Sequence, residues 1–440
     1  MSSLSSQQTS QPTSDISPAL ELADVLRRLE SLASTLEQGR CLWDLRTFEC
    51  VDLPWESDFP ALAQALWAID DDHIEPLDRD QRGLCALLWP ALEADLARRG
   101  ELAWSKSLFD WTLPANPLDS RAENARYHPD TLLPAQTLSR FAAGIKGRKW
   151  EQISRFVAIT AASSPALPVL EWCAGKGHLG RLMGAVTQMP VLSLELQQSL
   201  CEAGALEADK RAVKQRFVCA DAFGDTAQVF DTNQHALALH ACGELHLTLM
   251  RKAVAAGTEA ISLSPCCYHL FASGDYCCIS AAGRKSGLCL SRQALQLPLN
   301  HSLVAGDKAN ADRLKEVSWR LGFDSLQRTL RNQDEYLPLP SMRQSQLSGS
   351  FADFCHWAAD YRGLTLPADF NAEPWLVLGL KRQQLTRRLD LAAHLFRPLI
   401  EQFLLLDRAA FLLEAGYRVS LSAFCAPQVT PRNALIEARR

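Results

Sequence analysis

The spacing of apolar positions changes character twice along the chain. Over the first 140 residues it is helical. Leu22, Val25, Leu26, Leu29, Leu32 and Leu36 share one face, which predicts a helix opened by Ser17-Pro18. Leu62 to Trp67 and Leu84 to Leu96 predict two more, the second kinked or restarted at Pro90. Cys41 to Leu53 alternates and predicts a hairpin. Pro114, Pro117, Pro129 and Pro134 mark a long connection, and the polar residues 1–15 are expected to form a disordered tail. The expectation is a mostly helical N-terminal domain over residues 16–143.

From Val169 onward the apolar residues come in short unbroken runs, each followed by a turn and a helical stretch. Val169 leads into a glycine turn, and further strands are predicted at Val191–Leu194, Phe217–Ala220, His235–Leu239 and Ala260–Leu263. Unbroken runs alternating with helices predict a parallel, doubly wound α/β sheet, with ligands at the carboxyl ends of its strands. Gly175, Gly177 and Gly180 make a G-x-G-x-x-G just after the first run, where bare backbone can approach a nucleotide-like ligand. Acids stand at the strand ends: Glu171 before the glycines, Glu195 after the second run and Asp221 after the third. An acid after the second strand is shared with dinucleotide folds. Glu171 is not part of that fingerprint and suits a ligand with a cationic amino-acid end.

Residues 274–385 break this rhythm. They hold a glycine-flanked turn at Gly283–Gly287, a helix near Lys308–Leu321 and another near Phe351–Ala359. A long apolar-periodic helix is then predicted over Leu391–Glu414, stopped by Gly416, with closing strands at Tyr417–Phe424 and Asn433–Ala438. The sheet is therefore expected to be discontinuous, built from 144–273 and 386–440 around an insertion, 274–385, suited to substrate recognition.

Composition narrows the class. Of 440 residues 47% are apolar and the net charge is −5. Residues 1–140 carry 12 basic and 23 acidic side chains, and residues 141–440 carry 33 and 27, a mildly basic body able to meet phosphates. The 14 cysteines include no C-x-x-C pair and lie mostly in apolar runs, as buried thiols of a reduced compartment do. Met1 to Ser14 holds no apolar signal segment and no run reaches transmembrane length, so a soluble, cytoplasmic protein is expected. Asp70-Asp71-Asp72 reads as a solvated acidic loop. Cys242, Cys266, Cys267 and His269 match no standard zinc spacing, and adjacent cysteines do not easily ligate one ion, so no metal is expected.

Leu170-Glu-Trp-Cys-Ala-Gly-Lys-Gly-His-Leu-Gly, with His240-Ala-Cys-Gly-Glu-Leu-His and Pro265-Cys-Cys-Tyr-His, resembles a branch of the S-adenosylmethionine-dependent methyltransferases. That branch includes relatives of tRNA 2′-O-methyltransferases and of glutathione S-transferase C-terminal-domain-containing proteins. The resemblance covers roughly residues 144–272 and 390–438. It implies a Rossmann-like class I methyltransferase sheet with a reversed last strand. It also implies S-adenosyl-L-methionine as cofactor, with Glu171, Cys173, Ala174, Gly175 and Gly177 around the methionine end and Glu195 on the ribose. Asp221 and Ala222 would face the adenine, and His240, Ala241 and Cys242 would line the pocket near the sulfonium. His240 and His269 are candidate bases, Cys266 a candidate nucleophile, and Lys149, Arg284 and Lys285 candidate phosphate contacts. RNA is the expected substrate and partner. Methylation of a protein or small molecule, an NAD-binding oxidoreductase and a non-catalytic cofactor-binding module are the rivals.

Overall fold

The structure, a computed structural model, describes residues 19–100, 104–116, 128–163, 166–271, 274–299, 307–342 and 347–440. The expected tail at 1–15 lies outside them. The chain forms two compact units. One comprises residues 1–30, 112–295 and 404–440, the other 31–111 and 296–403.

The first unit holds a seven-stranded sheet. Its strands are β1 (Val169–Trp172), β2 (Val191–Glu195), β3 (Gln215–Cys219), β4 (His235–Cys242), β5 (Ala260–Cys266), β6 (Arg418–Ala423) and β7 (Ala434–Arg439), in the order β3-β2-β1-β4-β5-β7-β6. β1 to β5 run parallel and β7 lies antiparallel between β5 and β6. The mixed α/β, Rossmann-like sheet with a reversed last strand is as expected. β1 and β5 are buried along their whole length, which explains why they read as predominantly apolar runs without alternation. Helices Gly147–Ser163 and His178–Thr187 cover one face, where Phe156, Val157, Leu179 and Leu182 meet Val169, Leu237, Phe424 and Leu435.

The second unit is helical. Trp319, Phe323, Leu326, Phe351 and Phe354 form one of its cores. Its two chain segments are tied by ion pairs, Arg388 with Asp71 and Arg397 with Asp78, both at 2.9 Å, and by a hydrogen bond between His394 and Asp78. The division differs from the one expected along the chain, because packing rather than chain order sets it. Residues 31–111 and 296–403 make one body, while 274–295 join the sheet unit through Asp407, which accepts from Tyr276 and from the backbone of Ile279 and Ser280.

Four local expectations are corrected. Cys41–Leu53 contains one helical turn, Arg40–Trp43, and no strand; the carbonyls of Phe48 and Cys50 accept from Arg382 instead of from a strand partner. The helix Gln81–Arg99 is continuous through Pro90, so of the two outcomes expected there a restart is excluded. The single helix expected over Leu391–Glu414 is two, Glu373–His394 and Arg397–Glu414, with Pro398 in the first turn of the second, where a missing N–H costs nothing. Asp71 is not a solvated loop residue, since Gln384 and Arg388 both donate to its carboxylate. Among the described residues no helix is long and apolar enough to cross a membrane.

Candidate active site at the strand ends

Backbone strain marks the site. Among the described residues six non-glycine residues have positive φ. Gln188, Ala212 and Asn332 follow helix ends, where left-handed caps are ordinary. The other three are Cys173 (φ 56°), His240 (φ 67°) and Cys267 (φ 48°), at the carboxyl ends of the neighbouring strands β1, β4 and β5. Such a conformation costs a side-chain-bearing residue about 1–2 kcal/mol and collects where function re-aims a side chain. In β4 a register shift between Leu239 and Cys242 inserts one extra residue, a bulge that leaves Cys242 paired with Cys266.

The glycine turn leaves room for a ligand at one position. Gly175 (φ 59°) and Gly177 (φ 66°) are both left-handed. A Cβ on Gly177 would strike Gln215 and Phe217, and one on Gly180 would strike Glu171, so those glycines serve internal packing. A Cβ on Gly175 would meet nothing within 4 Å, so the turn faces open space there. Glu195 sets this turn, with its carboxylate accepting from the N–H of Gly175 at 2.8 Å and of Gln197 at 3.0 Å. Ala174 is held by its N–H bond to Leu194 at 2.9 Å, and Cys173, half-buried beside it, has its thiol pushed up to about 12 by burial.

Glu171 takes a different place from the one expected. Its carboxylate is buried and accepts from Ser193 Oγ at 2.6 Å and Gln215 Nε2 at 3.3 Å. Burial raises its pKa, opposed by hydrogen bonds from Ser193 and from the backbone of Gly180 and Leu179. It braces the turn from behind.

Two exposed apolar residues missed in the sequence stand at the same edge. Leu196 and Phe223 are 64% and 56% exposed, just after Glu195 and Asp221 on adjacent strand ends. Large apolar side chains left bare there offer walls for a flat ring. A clue existed, since each directly follows or closely trails a strand-end acid. Asp221 accepts from the N–H of Phe223 at 2.9 Å, Ala222 is buried, and Lys252 holds this loop through the carbonyls of Ala222 and Gly224. A hollow of about 660 Å³ lies beside the same loop, lined by Thr226, Phe230, Asp231 and Lys252. None of the three strained strand ends lines it, so the chemistry points to the strand ends instead.

His240 is oriented by Gln152, another residue missed in the sequence. Its Nε2 lies 2.6 Å from Gln152 Oε1, and Gln152 Nε2 donates to the carbonyl of Val429 at 3.4 Å. With that amide orientation, Nε2 of His240 carries the proton and Nδ1 keeps its lone pair. Burial lowers the His240 pKa, helped by the charges of Lys149 and Arg432. His178 is lowered to about 4, chiefly by burial, then by Arg181, Lys149 and Lys176. The charge of Lys149 thus bears on both histidines.

Next to it, Cys242 and Cys266 lie with Sγ atoms 3.5 Å apart, and Cys267 completes a trio of thiols. Hydrogen bonds to Cys242 and Cys267 raise Cys266, while the bond from Cys266 brings Cys267 down to about 5. Cys266 is 2% exposed and holds its proton, which does not suit the nucleophile expected of it; Cys267 is the more accessible thiol. His269 is half-buried, with Nδ1 lacking a hydrogen-bond partner. Ala241 is buried, its carbonyl bonded to His246 Nδ1. Gly243 is obligatory, as a Cβ there would lie 1.9 Å from the carbonyl oxygen of Leu270.

Arg284 and Lys285 are not joined to this face by any contact among the described residues. Arg284 Nη1 donates to the carbonyls of Cys278 and Ile279, fastening its own short helix, Ala281–Lys285.

The comparisons agree with this geometry. Residues 148–274 match the family model described as a methyltransferase domain. No curated protein matches the chain. Among solved structures, coclaurine N-methyltransferase bound to N-methylheliamine and SAH is 16% identical, covering 75% of this chain and 93% of that one, with a TM-score of 0.26, too low to bear on fold or function. The matched segment spans β1 to β5, the glycine turn and all three strained strand ends, so the similarity to a methyltransferase domain covers the whole of this face.

Proposed function

We propose that this enzyme methylates RNA, with the phosphate backbone gripped by Lys149, Lys176 and Arg432. One observation carries the reading. These three cations have no hydrogen-bonded or ion-paired partner among the described residues, yet their charges reach His178, His240 and Cys267 at the strand ends. Unspent cations around a reactive face suit a polyanionic substrate. Lys146 and Arg148, exposed beside Lys149, extend the same stripe.

S-adenosylmethionine, when bound, supplies an activated methyl group for in-line transfer. Gly175 gives the backbone approach for its methionine end, Glu195 stands where ribose hydroxyls are held, and Leu196 and Phe223 flank the place of its adenine. His240, neutral and held by Gln152, offers the Nδ1 lone pair to an attacking hydroxyl or amine.

The test uses methyl-labelled S-adenosylmethionine and an extract of cells lacking the protein. Label released by ribonuclease supports the proposal, and Lys149→Ala with Arg432→Ala should cut RNA labelling about tenfold or more without changing cofactor affinity. Label released only by protease overturns it.

A further inference from the structure

The Sγ atoms of Cys242, Cys266 and Cys267 all lie within 4.8 Å of one another. Successive side chains of a strand point to opposite faces, so adjacent cysteines ordinarily part company. Here two backbone departures bring the thiols together. The left-handed φ of 48° at Cys267 turns its side chain back toward that of Cys266. The bulge after Leu239 sets Cys242 directly opposite Cys266, with their sulfurs 3.5 Å apart. Zinc–thiolate bonds of about 2.3 Å at tetrahedral angles place sulfurs about 3.8 Å apart, so small side-chain rotations suffice.

Further features independently suggest a ligand. His269, two residues past Cys267, has a buried Nδ1 without a hydrogen-bond partner. Arg432, whose carbonyl accepts from Ser264 at 3.4 Å, has a buried Nε that is likewise unpartnered. Three thiolates on one divalent ion carry a net negative charge, which the guanidinium offsets. Cys242 and Cys267 are half-buried rather than sealed, which gives an ion a way in.

We propose that Cys242, Cys266 and Cys267 form a three-thiolate site for a thiophilic divalent cation, Zn²⁺, with its fourth position open. Each thiol gives up its proton to solvent as its sulfur binds the ion. Three protein ligands with one position to spare is the pattern of reactive rather than purely structural zinc sites. The site does not depend on which acceptor is methylated.

The experiment reads metal and thiols, not activity. The full-length protein, stripped of metal and reduced, is titrated with Co²⁺ and then with Zn²⁺. A thiolate-to-cobalt charge-transfer band that saturates at one equivalent and is displaced by Zn²⁺ is expected. Alkylation followed by mass spectrometry should show Zn²⁺ slowing modification of Cys242, Cys266 and Cys267 at least tenfold. The exposed Cys41, Cys277 and Cys289 should react at unchanged rates. Cys267→Ser should weaken Zn²⁺ binding about a hundredfold, and the protection map on the unaltered protein decides the matter should that variant fail to fold. Absence of the band, or Zn²⁺ binding with these three thiols still fully reactive, overturns the site.

Discussion

In the helical unit the buried cations are spent on the protein itself. Arg382 donates to Asp324 at 2.6 Å and to the carbonyl of Phe48 at 2.8 Å; Arg388 meets Asp71 at 2.9 Å and the carbonyl of Ile69 at 2.7 Å. On the strand-end face of the sheet unit, Lys149, Lys176 and Arg432 make no such bonds among the described residues, and their fields fall on His178, His240 and Cys267. Both units are arginine-rich, so counting charges would not separate them. The difference is that the buried guanidiniums of the helical unit are paired with carboxylates and carbonyls, whereas Lys149 and Lys176 are exposed.

The contrast is broken most sharply at Asp324, which is 1% exposed and serves both Arg382 and Arg328. Asp324→Ala should cost about 3–5 kcal/mol by leaving buried cations without their anion. Lys149→Ala should change stability by no more than about 0.5 kcal/mol, as surface substitutions do. Denaturant titration of the two variants measures both, and a comparable loss in each would erase the distinction.

On the sheet side, Gly175→Asp should weaken S-adenosylmethionine binding about a hundredfold or more, measured by calorimetry. The carboxylate would fill the open space beside the turn and repel the cofactor's own carboxylate. Because nothing lies within 4 Å of the added Cβ, the fold should lose only about 1 kcal/mol from the left-handed backbone. Unchanged affinity would mean the pocket lies elsewhere.

The smallest effect concerns buried histidines that hold the sheet rather than act. His235 is sealed in β4 with Nε2 2.8 Å from Ser262 Oγ, and burial, then the charge of Arg439, lowers it to about 3. Below an unfolded value of about 6.5 the unfolded chain binds a proton that the folded one refuses. His235 therefore favours the fold fully above that pH, and stability is lost as pH falls from there toward 3. The loss is at most about 1.4 kcal/mol per pH unit. Glu171 and Glu437, raised by burial, act in the opposite sense, because the folded state takes up their protons more readily as pH falls. His235→Asn should flatten the fall in melting temperature between pH 6 and pH 4. An unaltered slope would show that His235 titrates alike in both states.

Much of the sheet was legible because β1 and β5 are buried along their whole length, so their strands are mostly apolar, with the polar exceptions Glu171, Ser262 and Ser264 also buried. The hairpin expected at Cys41–Leu53 was not there because its alternation reflects scattered burial of Leu42, Trp43 and Leu53, with carbonyls satisfied by a guanidinium distant in sequence. Within the site, the glycines and strand-end acids could be located from their order along the chain. Their separate duties could not: Gly177 and Gly180 pack, Gly175 stands open, and Glu171 faces inward.

The sequence by itself determined the order of the strands, the discontinuous sheet and the edge at which its strand-end motifs gather. Those follow from local periodicity and from the rule that parallel strands present ligands at their carboxyl ends. Only the tertiary structure decided which cations are paired within the protein, and that Cys242, Cys266 and Cys267 share one point in space. Pairing across 24 residues, a one-residue bulge and a single left-handed φ made that convergence, and long-range register and a strained dihedral leave no local signature in the chain.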